Sequence, residues 1–598
     1  MRLSKDRLTF ELVRSTLDNL GDEMARSLAR AAYSPILKYG NDFATALVTR
    51  DSEIITQGRT SPAQLGALMT ASTAVRDKFQ DQFAAGDIFI LNDPYEGGSH
   101  LPDIMLIKPI FIGEGDLFCF VCSEAHHADI GGRTPGSNAT DSREIYEEGL
   151  RIPPSYYAVG GTVNETLMDL LESNSRLPER VKGDLGAQLA ALKVGEDGIH
   201  ELVKRYGCDE LRESISAYLD YGERLTRAEI AAWPDGEYDF TDWIDDDGFR
   251  EEPIVVQVKL TVDGDLLTVD YGGTADQVES AINNPLSDTR GDTLVAVRCA
   301  MTSNAPNNSG FVRPITIRVP EGTILNPRPP AAVAARSVTS CRAFDVVVGC
   351  LAQIVPERCM AGSHGSNALI TFFERDGAGT TSVVTDIHFG SWGARHDRAG
   401  VDGICLPSVQ VSNTPVETIE RETAITVSRY EFVPDTCGAG RHRGGLAVVR
   451  EYRVESDQAV IQVRGDRLRV PPYGLFGGGP GALASHRLNP GAEEERMPSK
   501  HTVLMAGGDT YAVTLAGGGG WGDPLESDPS QIHDDVRNEK VTPTFARDVF
   551  GVVTHPESGV NYDETANLRA LLRASASSER TENPQLPHLR RKEGDCPK

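Results

Sequence analysis

Leu91-Asn-Asp-Pro-Tyr-Glu-Gly-Gly-Ser-His-Leu-Pro-Asp103 leads into two apolar runs, Ile104 to Ile112 and Leu117 to Cys122. The chain leaves them through Ser123-Glu-Ala-His-His-Ala-Asp-Ile-Gly-Gly132. Short apolar runs bounded by turn residues predict buried strands. Gly113-Glu-Gly-Asp116 between them predicts a hairpin turn. With Glu114 and Gly115 as the loop, Asp103 falls opposite His126, and directly opposite side chains share a sheet face. His127 then points to the other face. A one-residue slip or bulge exchanges the two histidines.

Three of the 13 histidines, His100, His126 and His127, lie in this stretch beside Asp93, Asp103 and Asp129. Imidazole and carboxylate converging from two segments form a ligand set for a divalent metal such as Zn, Mn or Fe. His100 and Asp103 are three apart in a Gly/Pro-rich loop, so both reach one ion. The spacing predicts a metal held by His100, Asp103 and His126. The plainer alternative is that these residues hydrogen-bond a tight loop.

Working outward, Phe10, Val13, Leu17, Leu20, Met24, Leu28 and Ala31 recur at helical spacing and predict a helix over 8–33, interrupted at Gly21. Phe43 to Val48 and Glu53 to Thr56 predict paired strands, and Asn41-Asp42-Phe43 either places polar groups near a site or serves only as the helix-to-strand turn. A helix is expected over 68–79, helices over 163–192 broken near Pro178, and a long helical region over 198–231. The period then changes to that of strands: Ile254 to Val262 and Leu266 to Tyr271 flank Asp263-Gly-Asp265, a hairpin. The acidic run Asp242 to Asp247 lacks EF-hand spacing and is expected as a solvated turn. Ser340 to Val355 predicts an apolar helix. His364, His388 and His396 are secondary site candidates. Gly438 to Gly445, Gly474 to Gly481 and Gly517 to Pro524 are glycine-rich loops between strands. Backbone N–H groups in such loops can cradle phosphate, but structural turns are the stronger expectation.

The overall expectation is an α+β, multi-lobed fold with N-terminal helices, mixed β-sheets and a β-rich, Gly-loop-rich C-terminal half. The expected division is 1–235 with the metal site, 236–430 of mixed α/β character, 431–555 rich in β, and a turn-rich, disordered tail over 556–598. The 598 residues carry 59 Lys+Arg against 87 Asp+Glu, a formal charge of −28. That charge argues against nucleic acid and anionic membranes as partners. No secretory signal and no run of about 18 apolar residues is seen, so a cytoplasmic protein is expected. Ten scattered cysteines fit reduced thiols, and the Cys119/Cys122 pair fits core packing.

The central stretch resembles the hydantoinase B family, which includes the large subunits of acetone and acetophenone carboxylases and one half of 5-oxoprolinase. The matching phrases are Asn92-Asp-Pro-Tyr95, Gly98-Ser-His-Leu-Pro-Asp103, His126-His-Ala-Asp-Ile-Gly-Gly132 and Glu148-Gly-Leu-Arg151. The likeness extends over about residues 8 to 555. It implies a metal on His100, Asp103 and His126, with His127 kept as the alternative ligand. It implies a separate hydantoinase A-type subunit that binds ATP and Mg, and a hetero-oligomer. The absence of a P-loop here agrees with that arrangement. Relatives usually carry His where this chain has Gln64, which cannot take a proton at neutral pH.

The implied reaction is hydrolysis of a cyclic amide of hydantoin, lactam or 5-oxoproline type, activated by the ATP-using partner. A ketone carboxylase subunit and a non-catalytic scaffold for the ATPase are the alternatives. Asp93, Glu124 and Asp129 are the candidate general bases, and the sequence does not choose among them.

Overall fold

The computed structural model describes residues 7–579 except 81, 114, 365–367, 376–380, 492–493 and 556–558. The chain opens with α1 (Arg7–Ala31) and the one-turn α2 (Pro35–Lys38), then β1 (Phe43–Thr49) and β2 (Ile54–Gln57). α3 (Gln64–Phe79) and β3 (Ile88–Leu91) precede the predicted hairpin, β4 (Asp103–Ile112) and β5 (Asp116–His126). β6 (Ser155–Val159) and β7 (Thr162–Val163) complete an antiparallel sheet of order β2-β1-β5-β4-β3-β6-β7.

The register of the hairpin is the one expected: Asp103 pairs with His126. Near the turn, Ile110 pairs with Cys119 but Phe111 with Leu117, so Phe118 is a bulged residue. A bulge adds one residue to one strand, and here it offsets the loop so that the far end keeps the pairing. Glu114, half of the predicted loop, lies outside the described residues.

β5 is buried on both faces, which is why its sequence reads as a continuous apolar run. Val121 and Ala125 pack in one core with α1 and with α5 (Pro178–Tyr206), which follows α4 (Glu165–Asn174). Phe120 and Cys122 pack on the opposite face with Leu68 and Val75 of α3. The cysteine pair is therefore split between two cores. Gly21 does not interrupt α1; a Cβ there would lie 3.1 Å from the backbone of Gln57 and Gly58, so the glycine allows helix and strand to touch.

α6 (Cys208–Ile230) begins after Gly207, which breaks the long helical region at φ +84. A mixed sheet of order β11-β10-β9-β8 follows, built from β8 (Gly236–Ile244), β9 (Ile254–Asp263), β10 (Leu266–Asp270) and β11 (Ile315–Arg318). α7 (Leu286–Cys299), the one-turn α8 (Ser309–Val312) and α9 (Ser337–Leu351) belong to the same region. α9 is buried at every position except Ser340, as expected of a helix apolar nearly all round. It packs against α7 and against β8 and β9.

The acidic run is not a solvated turn. Asp242 and Asp245 are buried, and Asp242 pairs with Arg342 (3.0 Å) and Arg467 (2.9 Å). Arg342 also reaches Asp466 at 2.7 Å and Asp345 at 3.4 Å. A charge run reads as a surface only until its counter-ions, 100 and 225 residues away in sequence, are known.

The C-terminal half is rich in β-structure. Its strands are β12 (Ala368–Arg375), β13 (Thr381–His388), β14 (Ile425–Val433), β15 (Ala447–Val454), β16 (Gln458–Arg464), β17 (Ser485–Leu488), β18 (Glu495–Met497), β19 (Lys500–Ala506) and β20 (Thr510–Thr514). The sheet β13-β12-β16-β19 faces the sheet β14-β15-β20-β17-β18 across a shared apolar core. The glycine loops stack on one another: Gly438 N donates to Gly518 O, and Gly520 N to Gly479 O. A Cβ at Gly519 would lie 2.0 Å from Tyr473 O. These glycines are needed for backbone packing, the structural role expected of them. The segment expected as a turn-rich tail instead carries a helix, Tyr562–Glu579; residues 580–598 lie outside the described ones.

Candidate metal centre

The loop before β4 is folded tightly enough to bring His100 back over Asp103. Asp103 N donates to His100 O (2.9 Å), and His127 N donates to Pro102 O (2.8 Å), tying the loop to the end of β5. Asn92 donates to the carbonyls of Leu101 and Leu150 and accepts from Ile152 N. Gly97, at φ +98, lies against Thr70 O, where a Cβ would come within 2.8 Å.

His100, Asp103 and His126 each offer a ligand atom, and these atoms lie within 4.8 Å of one another. All three residues are buried. The His100 and His126 rings are 4.9 Å apart. His126 Nδ1 lies 3.1 Å from Asp103 Oδ1. His100 Nδ1 lies 2.8 Å from Asp103 Oδ2, yet the two are not aligned as a hydrogen bond, and neither ring nitrogen of His100 has a hydrogen-bond partner. A buried imidazole with both nitrogens unused is costly. Two imidazoles and one carboxylate suit Zn, Mn or Fe, so these residues fit a divalent ion. Burial, reinforced by Arg336, lowers His100 to about 3, leaving a neutral ring with its lone pair free.

Arg336, at the start of α9, is the largest neighbour, and no sequence motif singles it out. Its guanidinium reaches Asp103 Oδ2 at 2.6 Å, Ser99 Oγ at 2.6 Å and Asp288 Oδ2 at 3.1 Å. Burial opposes ionisation of Asp103, but His100 and Arg336 hold it well below the usual carboxylate range. Asp42 lies 3.9 Å from His126 Nδ1, so the expectation that this turn comes near a site agrees with its position. Gln64, Asp292, Ser337, Ser340, Ser408 and Arg464 line a cavity of ≈ 50 Å³ that also touches His100 and His126.

The other candidates separate. His127 points to the opposite face, where Nε2 meets Gln188 Oε1 of α5 at 3.0 Å, so it does not join the cluster. Asp129 is a structural clamp: it accepts from Gly131 N, Gly136 N, Arg176 N and the Arg176 guanidinium, leaving no oxygen free to take a proton. Asp93 accepts from Tyr95 N and pairs with Arg151 (3.3 Å), holding its own loop. Glu124 differs from both. It is fully buried on the same sheet face as Asp103 and His126, and neither carboxylate oxygen has a partner. Burial, with Asp103 and Asp288 nearby, pushes it well above the usual carboxylate range.

His364 and His388 belong to the C-terminal half. His364 Nδ1 accepts from Ala516 N, and His388 bonds Tyr452. His396 is exposed beside Asp397. Glu148, from the last matching phrase, accepts from Val333 N and Ala334 N and so fixes the segment that delivers Arg336.

Residues 6–524 match the family described as Hydantoinase B/oxoprolinase. A protein of a Pseudomonas species, provisionally named as the B-type component of a D-/L-hydantoinase, is 32% identical over 94% of this chain and 98% of its own. The beta component of the caprolactamase of Pseudomonas jessenii is 30% identical over 92% and 96%. The crystal structure of that organism's ATP-dependent caprolactamase superposes with a TM-score of 0.88 at 28% identity, covering 95% of this chain and 100% of the other. A nucleotide-free acetone carboxylase gives 0.89 at 19% identity over 96% and 84%, a likeness of fold. Among the described residues, no helix is long and apolar enough to cross a membrane.

Proposed function

Because the chain belongs to the hydantoinase B/oxoprolinase family, we propose that it is the metal-bearing subunit of an ATP-dependent, two-component enzyme. Its substrate is a cyclic amide of hydantoin, lactam or 5-oxoproline type. A hydantoinase A-type partner binds ATP and Mg and activates that substrate. The observation that carries this reading is the convergence of His100, Asp103 and His126 beside a polar cavity. Relatives named as subunits of a hydantoinase and a caprolactamase support the cyclic-amide class and the second subunit.

His100, Asp103 and His126 would hold the ion. A bound divalent metal polarises a carbonyl oxygen and lowers the pKa of water. Arg336 fixes the Asp103 carboxylate and adds positive charge where negative charge develops. Glu124, unpartnered on the same sheet face as Asp103 and His126, is the carboxyl placed to exchange a proton with the reacting group. The enclosing walls from α3, α7 and α9 limit water around the reacting group.

The test is co-expression with a hydantoinase A-type subunit, followed by metal analysis and ATP-turnover assays. Hydantoins, lactams, 5-oxoproline and ketones with bicarbonate are the panel. Stoichiometric metal and ATP-coupled ring opening are expected. A folded complex without metal points to a scaffold, and bicarbonate fixation onto a ketone overturns the hydrolase reading.

A further inference from the structure

The cavity beside the metal cluster has two chemically different walls. On the α3/α7 side, Gln64 Oε1 and Asp292 Oδ1 are buried acceptors with no hydrogen-bond partner. Asp292 Oδ2 is already used, accepting from Ser340 Oγ at 2.6 Å. On the other side, Ser337 Oγ in the first turn of α9 and Arg464 Nε are unpartnered, buried donors. Buried polar atoms in native proteins are nearly always paired. Five unpaired ones around one small space, Ser408 Oγ being the fifth, imply a ligand that supplies missing partners. That ligand must offer a donor to one wall and an acceptor to the other.

We infer that Gln64 and Asp292 receive the N–H of a ring amide while Ser337 and Arg464 meet its carbonyl oxygen, making this chain selective for secondary cyclic amides. The inference rests on the cyclic-amide reading above and narrows it. A ring amide presents N–H and C=O on the same side, because the ring forces the cis arrangement. A ketone or an N-methylated amide has no N–H. Either would bury Gln64 Oε1 unpaired, and a site built to bond an N–H rejects ligands that lack it. The cavity volume of ≈ 50 Å³ suits the amide end of a ring rather than a bulky side group.

The experiment uses the metal-loaded complex with its partner subunit. Lactams of five, six and seven ring atoms and hydantoin are each compared with the fully N-methylated counterpart. Calorimetric binding and ATP-coupled ring opening are both read. At least one N–H compound is expected to bind about 100-fold or more tighter than its methylated form. Gln64→Met keeps the length of the side chain but removes both polar atoms, and is expected to reduce that ratio to about 10-fold or less. Equal binding of both forms, with ring opening intact, overturns the inference and leaves the cyclic-amide reading standing. Failure of every N–H compound to bind or open overturns both. If Gln64→Met does not fold, the comparison on the unaltered protein decides alone.

Discussion

Two buried clusters of charge share helix α9, and they are finished differently. At its start, Arg336 touches the cluster of His100, Asp103 and His126, where His100, Glu124 and Asp292 retain unpaired polar atoms. Two turns on, Arg342 and Asp345 join Asp242, Asp466 and Arg467, and every carboxylate oxygen there accepts a hydrogen bond. Asp242 takes two guanidiniums and Trp243 N. Asp345 takes Ser363 Oγ with both guanidiniums, and Asp466 takes Asp245 N and Arg342. Burial and charge are alike in the two places. What differs is which atoms are left over: the second cluster leaves Arg342 Nε and Arg467 Nε unbonded but no carboxylate oxygen, whereas the first leaves both ring nitrogens of His100, both oxygens of Glu124 and one of Asp292 without partners.

The difference predicts opposite responses to mutation. His100→Ala is expected to abolish metal binding and lower ring-opening turnover by about 10³-fold or more, since a catalytic metal supplies several kcal/mol of charge stabilisation. Its unfolding midpoint without metal should hardly move. Metal analysis, steady-state kinetics and urea unfolding on one preparation read all three. Retained metal at full stoichiometry would break the contrast. Arg342→Met is the converse. Removing one partner of a buried ion network leaves an uncompensated charge and costs about 3–5 kcal/mol. Urea unfolding should show that loss, while metal affinity of the remaining folded protein stays unchanged.

The first cluster was partly legible because its ligand candidates are local. Asp103 and His126 lie on adjacent strands of one hairpin, and period-2 alternation is enough to put them on one face and His127 on the other. The apolar runs likewise expose the β4/β5 and β9/β10 pairings. Arg336, Asp288 and Asp292 had no such signal; they arrive through the packing of α7 and α9 on the sheet, a long-range event with no sequence period. The same limit hid the second cluster, because Asp242 and Arg467 meet across more than 200 residues. Asp129 misled for another reason. Its place in the His-His-x-Asp phrase is needed for a loop clamp, and a short motif does not say whether a carboxylate is free.

Arg336→Gln sharpens the comparison at its boundary. Groups that orient metal ligands typically matter by 10–100-fold in affinity. Arg336 fixes Asp103 at 2.6 Å, so the metal dissociation constant is expected to rise by about that factor. Competition with a chelator measures it. An unchanged constant would mean that His100 and His126 alone hold Asp103 in place.

The smallest expected effect is a pH dependence confined to the second cluster. It contains two guanidiniums and three carboxylates, an excess of one negative charge away from water. Burial first, opposed by Arg342, sets Asp345 at about 7, and burial with Asp245 sets Asp466 at about 7 as well. Their folded values lie above the ordinary 3.8. The folded protein therefore binds the proton more tightly than the unfolded chain does. The associated stability is intact below about pH 4 and is lost as the pH rises through about 7. Asp345→Asn removes the excess charge and keeps a hydrogen-bond acceptor for Ser363. The difference in urea midpoint between this variant and the parent should therefore move in the variant's favour from pH 4 to 7.5. A difference that stays constant with pH would show that the network carries its third negative charge without a proton, and that hydrogen bonds alone make up for the missing cation.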